Sequence, residues 1–154
     1  MSVEEIVTGY HAAMLHKSPD ELAGLYAETG LHEFPFGGLP PFRGREEVRT
    51  GYRGMWGQMP YPVREVRRRA LRRTDDPEVV VVEQDTVVEA GEELITVPGL
   101  LVLRIREGEI IHTRDYMDTS AIARVRSAGT PPETRKEADA PGTRVQPPLS
   151  EERA

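Results

Sequence analysis

The spacing of apolar residues changes once along the chain, from helical to alternating. Ile6, Tyr10, Ala13 and Met14 fall on one face at helical spacing, and Ser2 with Glu5 has the spacing of a capping box. These predict a first helix over residues 3–17. Ser18-Pro19-Asp20-Glu21 marks a second start, with Leu22, Leu25 and Tyr26 sharing a face until Gly30. The short stretch "LHEFPF" reads as extended, and the following "GGLPP" continues neither a helix nor a central strand. In "GREEVRTGYRGMW", Val48, Tyr52, Met55 and Trp56 recur at intervals of three and four, predicting a third helix weakened by Gly51 and Gly54. From Pro62 onward the period becomes two, which predicts strands over 63–74, 79–89, 94–106 and 109–117. The connections "TDDPE", "AGEE" and "EGE" are short and turn-forming, so the strands are expected to form an antiparallel meander. Three helices followed by a curved antiparallel sheet is an α+β layout, with the helices covering the concave face.

Alternation also assigns faces. Asp115 shares its side of the last strand with Ile111, Thr113 and Met117, so it is expected to point inward. The same parity in "VVVVEQDTVVE" groups Glu83 and Asp85 with Val79, Val81 and Val87. Between these strands, Ile95, Val97, Leu101, Leu103 and Ile105 form an apolar row. A carboxylate among such neighbours must be hydrogen-bonded, protonated, or facing water in a cavity. Acids held that way acquire the split proton affinities that acid/base catalysis near neutrality uses; the competing reading is pairing with arginine and no chemistry. His32 and Glu33 lie on opposite faces of a short strand, and an inward Glu33 would join the pocket as a base, whereas an outward one would be a solvated rim residue. Tyr10, Tyr26, Tyr52, Met55 and Trp56 are expected as core or pocket wall, with tyrosine hydroxyls the available hydrogen-bond donors.

Composition narrows the classes. The 154 residues, 38% of them hydrophobic, suit one domain over 1–126, followed by a flexible Pro-rich, charged tail over 127–154. Cysteine is absent, which removes disulfides, thiolate nucleophiles and Cys-ligated zinc. A formal charge of −6 argues against nucleic acid and anionic membrane as partners, and "REVRRRALRR" reads as a solvated outer sheet face or as arginines paired with acids. No run approaches the roughly 20 apolar residues of a membrane span, and the acidic "MSVEEI" lacks a secretion-signal pattern, so a cytoplasmic location is expected. His11 and His16 are five apart rather than at metal-ligand helical spacing, and neither a phosphate-cradling glycine loop nor a nucleophile elbow is present; no metal and no cofactor are expected.

The order helix, helix, "LHEFPF", "FRGREEV" helix, meander and "GEIIHTRDYMD" resembles the SnoaL-like and ketosteroid-isomerase-like proteins of the nuclear transport factor 2-like superfamily, over residues 3–125. The last strand is similar to the group's "G-K-I-x-x-W-R-D-Y-F-D" ending. The resemblance implies a cone-shaped, cystatin-like α+β barrel around an apolar pocket, and a homodimer packed sheet to sheet. It also implies that Asp115, the aspartate of the "RDY" motif, is catalytic, as in the polyketide cyclases and limonene epoxide hydrolase. Asp85 matches the second aspartate of the epoxide hydrolases, but Glu83 stands where their arginine would be. Tyr10 matches the oxyanion-donating tyrosine of the ketosteroid isomerases, while Phe34, beside Glu33, and Leu101 fall where those enzymes carry acids. The expectation is a cofactor-independent acid/base enzyme of secondary metabolism acting on a mostly hydrophobic metabolite. Asp115, Asp85, Glu83 and Tyr10 are its expected catalytic set, in a pocket walled by Glu33, Tyr26, Tyr52, Trp56, Leu101 and Met117. The alternatives are epoxide opening by a water held between Asp85 and Asp115, and a non-catalytic ligand-binding or dimerisation module.

Overall fold

The computed structural model describes residues 1–131. Their elements run α1 (Val3–His16), α2 (Pro19–Ala23), β1 (Tyr26–Glu33), β2 (Phe42–Arg43), α3 (Arg45–Gly57), β3 (Val63–Arg73), β4 (Val79–Ala90), β5 (Glu93–Arg106), β6 (Glu109–Met117) and α4 (Thr119–Gly129). The predicted capping box starts α1: the Glu5 amide donates to Ser2 Oγ at 3.1 Å and the Ser2 amide to Glu5 Oε2 at 2.7 Å. Ser18 caps α2, but this helix ends at Ala23 rather than near Gly30. Tyr26 and its successors instead form β1, because pairing with β6 satisfies their backbone and outweighs the local helical spacing.

All six strands belong to one curved sheet in the order β2-β1-β6-β5-β4-β3. The meander β3 to β6 is antiparallel, as predicted. Strand β1 adds to β6 in parallel, which makes the sheet mixed rather than purely antiparallel. Since β2 and β3 remain edges, the expected barrel is not closed.

The core lies between the sheet and α1, α2 and α3, where Ile6, Leu22, Val48, Val82, Leu103 and Ile110 are buried. At roughly 25 cal/mol per Å² of apolar surface removed from water, this layer is the main stabilising term. Gly51 weakens α3 locally, yet a side chain there would collide with the Phe42 ring, so the glycine lets β2 pack against the helix.

A fourth helix was not expected. Asp118 caps α4 by accepting from the Ala121 amide at 2.9 Å; Ala121 is buried, and Val125 packs with Ala90 and Ile95 of the sheet. The cap and the spacing of Ala121, Ile122 and Val125 were readable signals. The domain boundary expected after residue 126 thus falls inside α4, whose last turn includes Ser127 and Gly129. The rest of the expected tail, from residue 132 on, lies outside the described residues.

Candidate active site

Between the helices and the sheet lies a cavity of about 270 Å³. Its walls are mostly apolar, formed by Met14, Met55, Trp56, Met59, Val88, Val97, Met117 and Ile122. The polar groups that reach it include Tyr10, Tyr52, Gln84, Thr86, Asp115 and Lys17. An apolar hollow with a few convergent polar groups is the usual form of a small-molecule site.

Asp115 points inward as expected, although by a different route. A bulge opposite Arg104 and Ile105 inserts an extra residue into β6, so Ile110 rather than Ile111 shares the buried face with Thr113 and Asp115. Register then sets the neighbours: Asp115 stands beside Leu101 of β5, and Thr113 beside His32 of β1. His32 is fully buried.

These residues form one hydrogen-bonded chain. Tyr52 Oη donates to Asp115 Oδ2 at 3.2 Å and lies 2.9 Å from His32 Nε2, which is itself 3.4 Å from Asp115 Oδ2. On its other side His32 Nδ1 is 2.7 Å from Tyr26 Oη, and Tyr26 Oη is 2.8 Å from Thr113 Oγ1. Each link admits donation in either direction. With Asp115 ionised, Thr113 donates to Tyr26, Tyr26 to Nδ1, the Nε2 proton to Tyr52, and Tyr52 to the carboxylate. With Asp115 protonated, every donor reverses and His32 carries its proton on Nδ1 instead. The carboxyl group can therefore take up or give back a proton without stranding a buried partner. The Phe34 ring, 4.6 Å from His32 between ring centres, helps hold the imidazole in place.

Tyr10 supplies a second polar group. Its hydroxyl is buried and has no hydrogen-bond partner among the described residues, although the side chain lines the cavity. Burial pushes the Tyr10 phenol well above its ordinary range, and the nearby Tyr26, Tyr52 and Asp115 add to the effect. Burial likewise raises Tyr26 and Tyr52. All three hydroxyls are thus protonated near neutrality and serve as donors rather than phenolate bases.

The structure corrects several expected positions. Glu83 and Asp85 lie on the opposite, outer face of the sheet. The inner residues of β4 are Val80, Val82 and Gln84, and four consecutive valines fit either parity, so alternation did not decide the face. Glu83 pairs with Arg72 at 3.0 Å and Asp85 with Arg69 at 3.5 Å, beside an open outer hollow that also includes Leu100 and Tyr116. Glu33 is outward too, 3.5 Å from His112 Nε2, because Tyr26, Gly30, His32 and Phe34 take the buried side of β1. Leu101 and Tyr26 are buried behind the cavity and do not line it. Tyr52, Trp56 and Met117 line it.

His32 and Gln84 are among the polar site residues that the sequence reading missed. His32 was legible in principle, since it shares parity with Phe34; Gln84 was not, because the valine run before it fits either parity. Lys17, in the left-handed conformation after α1, also reaches the cavity wall, where its ammonium donates to the Met59 and Tyr61 carbonyl oxygens.

Comparison with known proteins agrees with this architecture. The SnoaL-like domain family matches residues 7–113. No curated protein matches the sequence. Among solved structures, a protein of ketosteroid isomerase-like fold from Catenulispora acidiphila, in complex with trimethylamine, is 26% identical, with 84% of this chain and 96% of that chain covered and a TM-score of 0.67. A Mycobacterium tuberculosis epoxide hydrolase resembling limonene epoxide hydrolase is 20% identical over 79% of this chain and 86% of its own, with a TM-score of 0.60. A protein of cystatin-like fold from Methylobium petroleophilum is 14% identical over 75% and 74%, with a TM-score of 0.58. At those two identities the likeness speaks for fold alone. With most of its length matched by the domain family and this sheet beneath the cavity, the chain belongs to the SnoaL-like family of the nuclear transport factor 2-like superfamily.

Proposed function

We propose that this protein is a cofactor-independent acid/base enzyme that moves a proton on a small, mostly apolar carbonyl compound, of the size and character of a polyketide-type intermediate. The observation that carries the reading is Asp115: a carboxylate at the cavity wall, backed by a Tyr52–His32–Tyr26–Thr113 chain that accommodates both of its protonation states. In this reaction Asp115 takes a proton from the carbon next to the substrate carbonyl, and the C–H electron pair becomes the C=C bond of an enolate. The negative charge passes to the carbonyl oxygen, where the Tyr10 hydroxyl donates to it. The enolate carbon then recovers the proton at another position or attacks a second carbonyl group, with Asp115 returning its proton to the new alkoxide. Isomerisation and cyclisation share that first step.

Epoxide opening by two aspartates is not supported, because Asp85 is on the other face of the sheet with Arg69. A purely binding role leaves the reversible Asp115 chain and the unpartnered Tyr10 hydroxyl without a use. Homodimerisation belongs to the proposal as well, through the outer sheet face, where Phe36 is 71% exposed and packs edge-on to Tyr116 at 5.2 Å. No helix among the described residues is long and apolar enough to cross a membrane.

The test is deuterium exchange at the α-carbons of 2-tetralone, a bicyclic ketone small enough for the cavity, followed by proton NMR. The wild-type protein should accelerate exchange and Asp115→Asn should abolish the acceleration while its circular dichroism stays native. Equal exchange by the two proteins would overturn the assignment of Asp115.

A further inference from the structure

Gln84 is the one buried amide side chain on the inner face of β4, at 5% exposure, and nothing in the Asp115 chain uses it. Its oxygen is already engaged: His11 Nε2, on α1, lies 2.6 Å from Gln84 Oε1. His11 is partly buried, and desolvation lowers its proton affinity. As a neutral imidazole it donates from Nε2, which orients the amide with oxygen toward His11 and nitrogen away from it. The amide nitrogen meets only a thioether, Met14 Sδ at 3.5 Å, a weak acceptor.

The direction of that nitrogen is set by Gly99. Register places Gln84 beside Gly99 of β5, and Gly99 beside Met117 of β6, all at the cavity wall. Because Gly99 has no side chain, the space over it is open. A Cβ at this position would lie 3.6 Å from Gln84 Nε2, so the amide nitrogen stands over the glycine at the cavity floor. Tyr10, next to His11 on α1, also lines this cavity, and its buried hydroxyl has no hydrogen-bond partner among the described residues. A buried amide donor with no oxygen acceptor is costly, and a ligand oxygen would relieve it.

The geometry points to Gln84 as a second donor to the substrate's carbonyl oxygen, acting with Tyr10, and to His11 as the positioning residue that holds the amide in the donating orientation. This rests on the proton-transfer reading of the site and makes it more specific: the substrate presents an oxygen that gains charge to two neutral donors in the same cavity as Asp115. An uncharged carbonyl group meets that requirement. Negative charge on this oxygen in the transition state strengthens both hydrogen bonds, so the pair contributes to rate more than to binding.

The experiment measures carbon-13 carbonyl-labelled 2-tetralone bound to the protein by isotope-edited infrared spectroscopy, with α-deuterium exchange alongside. Binding is followed by quenching of Trp56, the only tryptophan, which lines the cavity, with the hydrocarbon tetralin as the oxygen-free control. In the wild type the carbonyl stretch should fall below its value in hexane. Gln84→Met should move it part of the way back, slow exchange roughly 100-fold and leave tetralin binding unchanged. His11→Phe, which frees the amide to turn, should split or broaden the band and slow exchange less. Gly99→Val, whose γ-methyls extend beyond a Cβ already 3.6 Å from Nε2 and so displace the amide without removing it, should act in the same direction and covers the case in which Gln84→Met does not fold. A wild-type band and exchange rate in both Gln84→Met and Gly99→Val would overturn the inference. If Asp115→Asn still abolishes exchange in that case, the proton-transfer reading survives; if Asp115→Asn is also without effect, both fall.

Discussion

The two faces of the sheet hold acids of nearly equal exposure in opposite chemical settings. The Asp115 side chain is 18% exposed on the inner face and the Asp85 side chain 17% exposed on the outer face. Burial does not separate them; their partners do. Asp85 faces the Arg69 guanidinium, a permanent donor with no lone pair to accept a proton in return. Asp115 faces the Tyr52 hydroxyl, which donates to the carboxylate and can accept from the protonated acid, with the His32 imidazole behind that hydroxyl as its own reversible partner. Reversibility of the partner, more than depth, distinguishes an acid able to work from one that only pairs.

The largest effect should come from removing the inner acid. Asp115→Asn is expected to lower exchange of 2-tetralone by a factor of roughly 100 to 10,000, whereas Asp85→Asn and Glu83→Gln should each stay within a factor of about three, since neither reaches the cavity. A loss with Asp85→Asn equal to that with Asp115→Asn would end the distinction between the faces. Next, His32→Leu should destabilise the fold by about 3 kcal/mol, because it leaves the Tyr26 and Tyr52 hydroxyls buried without their shared partner. Urea titration reads this directly, and an unchanged midpoint would mean that the chain is not a structural unit. Gly51→Ala should cost about 1–3 kcal/mol by driving a methyl group into Phe42 despite its better helix propensity. Thermal melting of this variant tests whether the glycine serves packing.

Smaller effects belong to the outer face. Breaking the Arg72–Glu83 pair should change stability by about 0.5 kcal/mol or less, with strong salt screening. The smallest prediction concerns pH. His11 binds its proton less readily in the folded protein than the ordinary value of 6.5, so the unfolded chain takes up more protons as pH falls through that range. Its stabilising contribution is full above about 6.5 and declines below, and His11→Phe should flatten stability profiles measured between pH 7.5 and 5.5. A profile as steep as the wild type's would assign the dependence to another group.

Patterns with a local cause could be read from the residues alone. Ser2 and Glu5 start α1, Ser18 and Pro19 start α2, and the alternating runs after Pro62 with their short turns define the meander almost to the residue. The inward Asp115 was also legible, from its apolar neighbours and the "RDY" resemblance. The faces of β4 were not. Val79 to Val82 are all apolar, so the pattern has two solutions; the fold takes the one that buries Val80, Val82 and Gln84 beneath the helices and leaves Glu83 and Asp85 outside with arginines.

What the linear order of residues determined by itself was the set of elements and the acid on the last strand, because caps, turns and periodicity act over a few neighbours. What only the tertiary structure decided was which groups meet Asp115. The parallel pairing of β1 with β6 brings His32 beside Thr113, although 80 residues of sequence separate them, and α3 brings Tyr52 to both His32 and Asp115. A hydrogen bond depends on distance and angle between groups that no local pattern relates, so the identity of the carboxylate was readable while its partners were not.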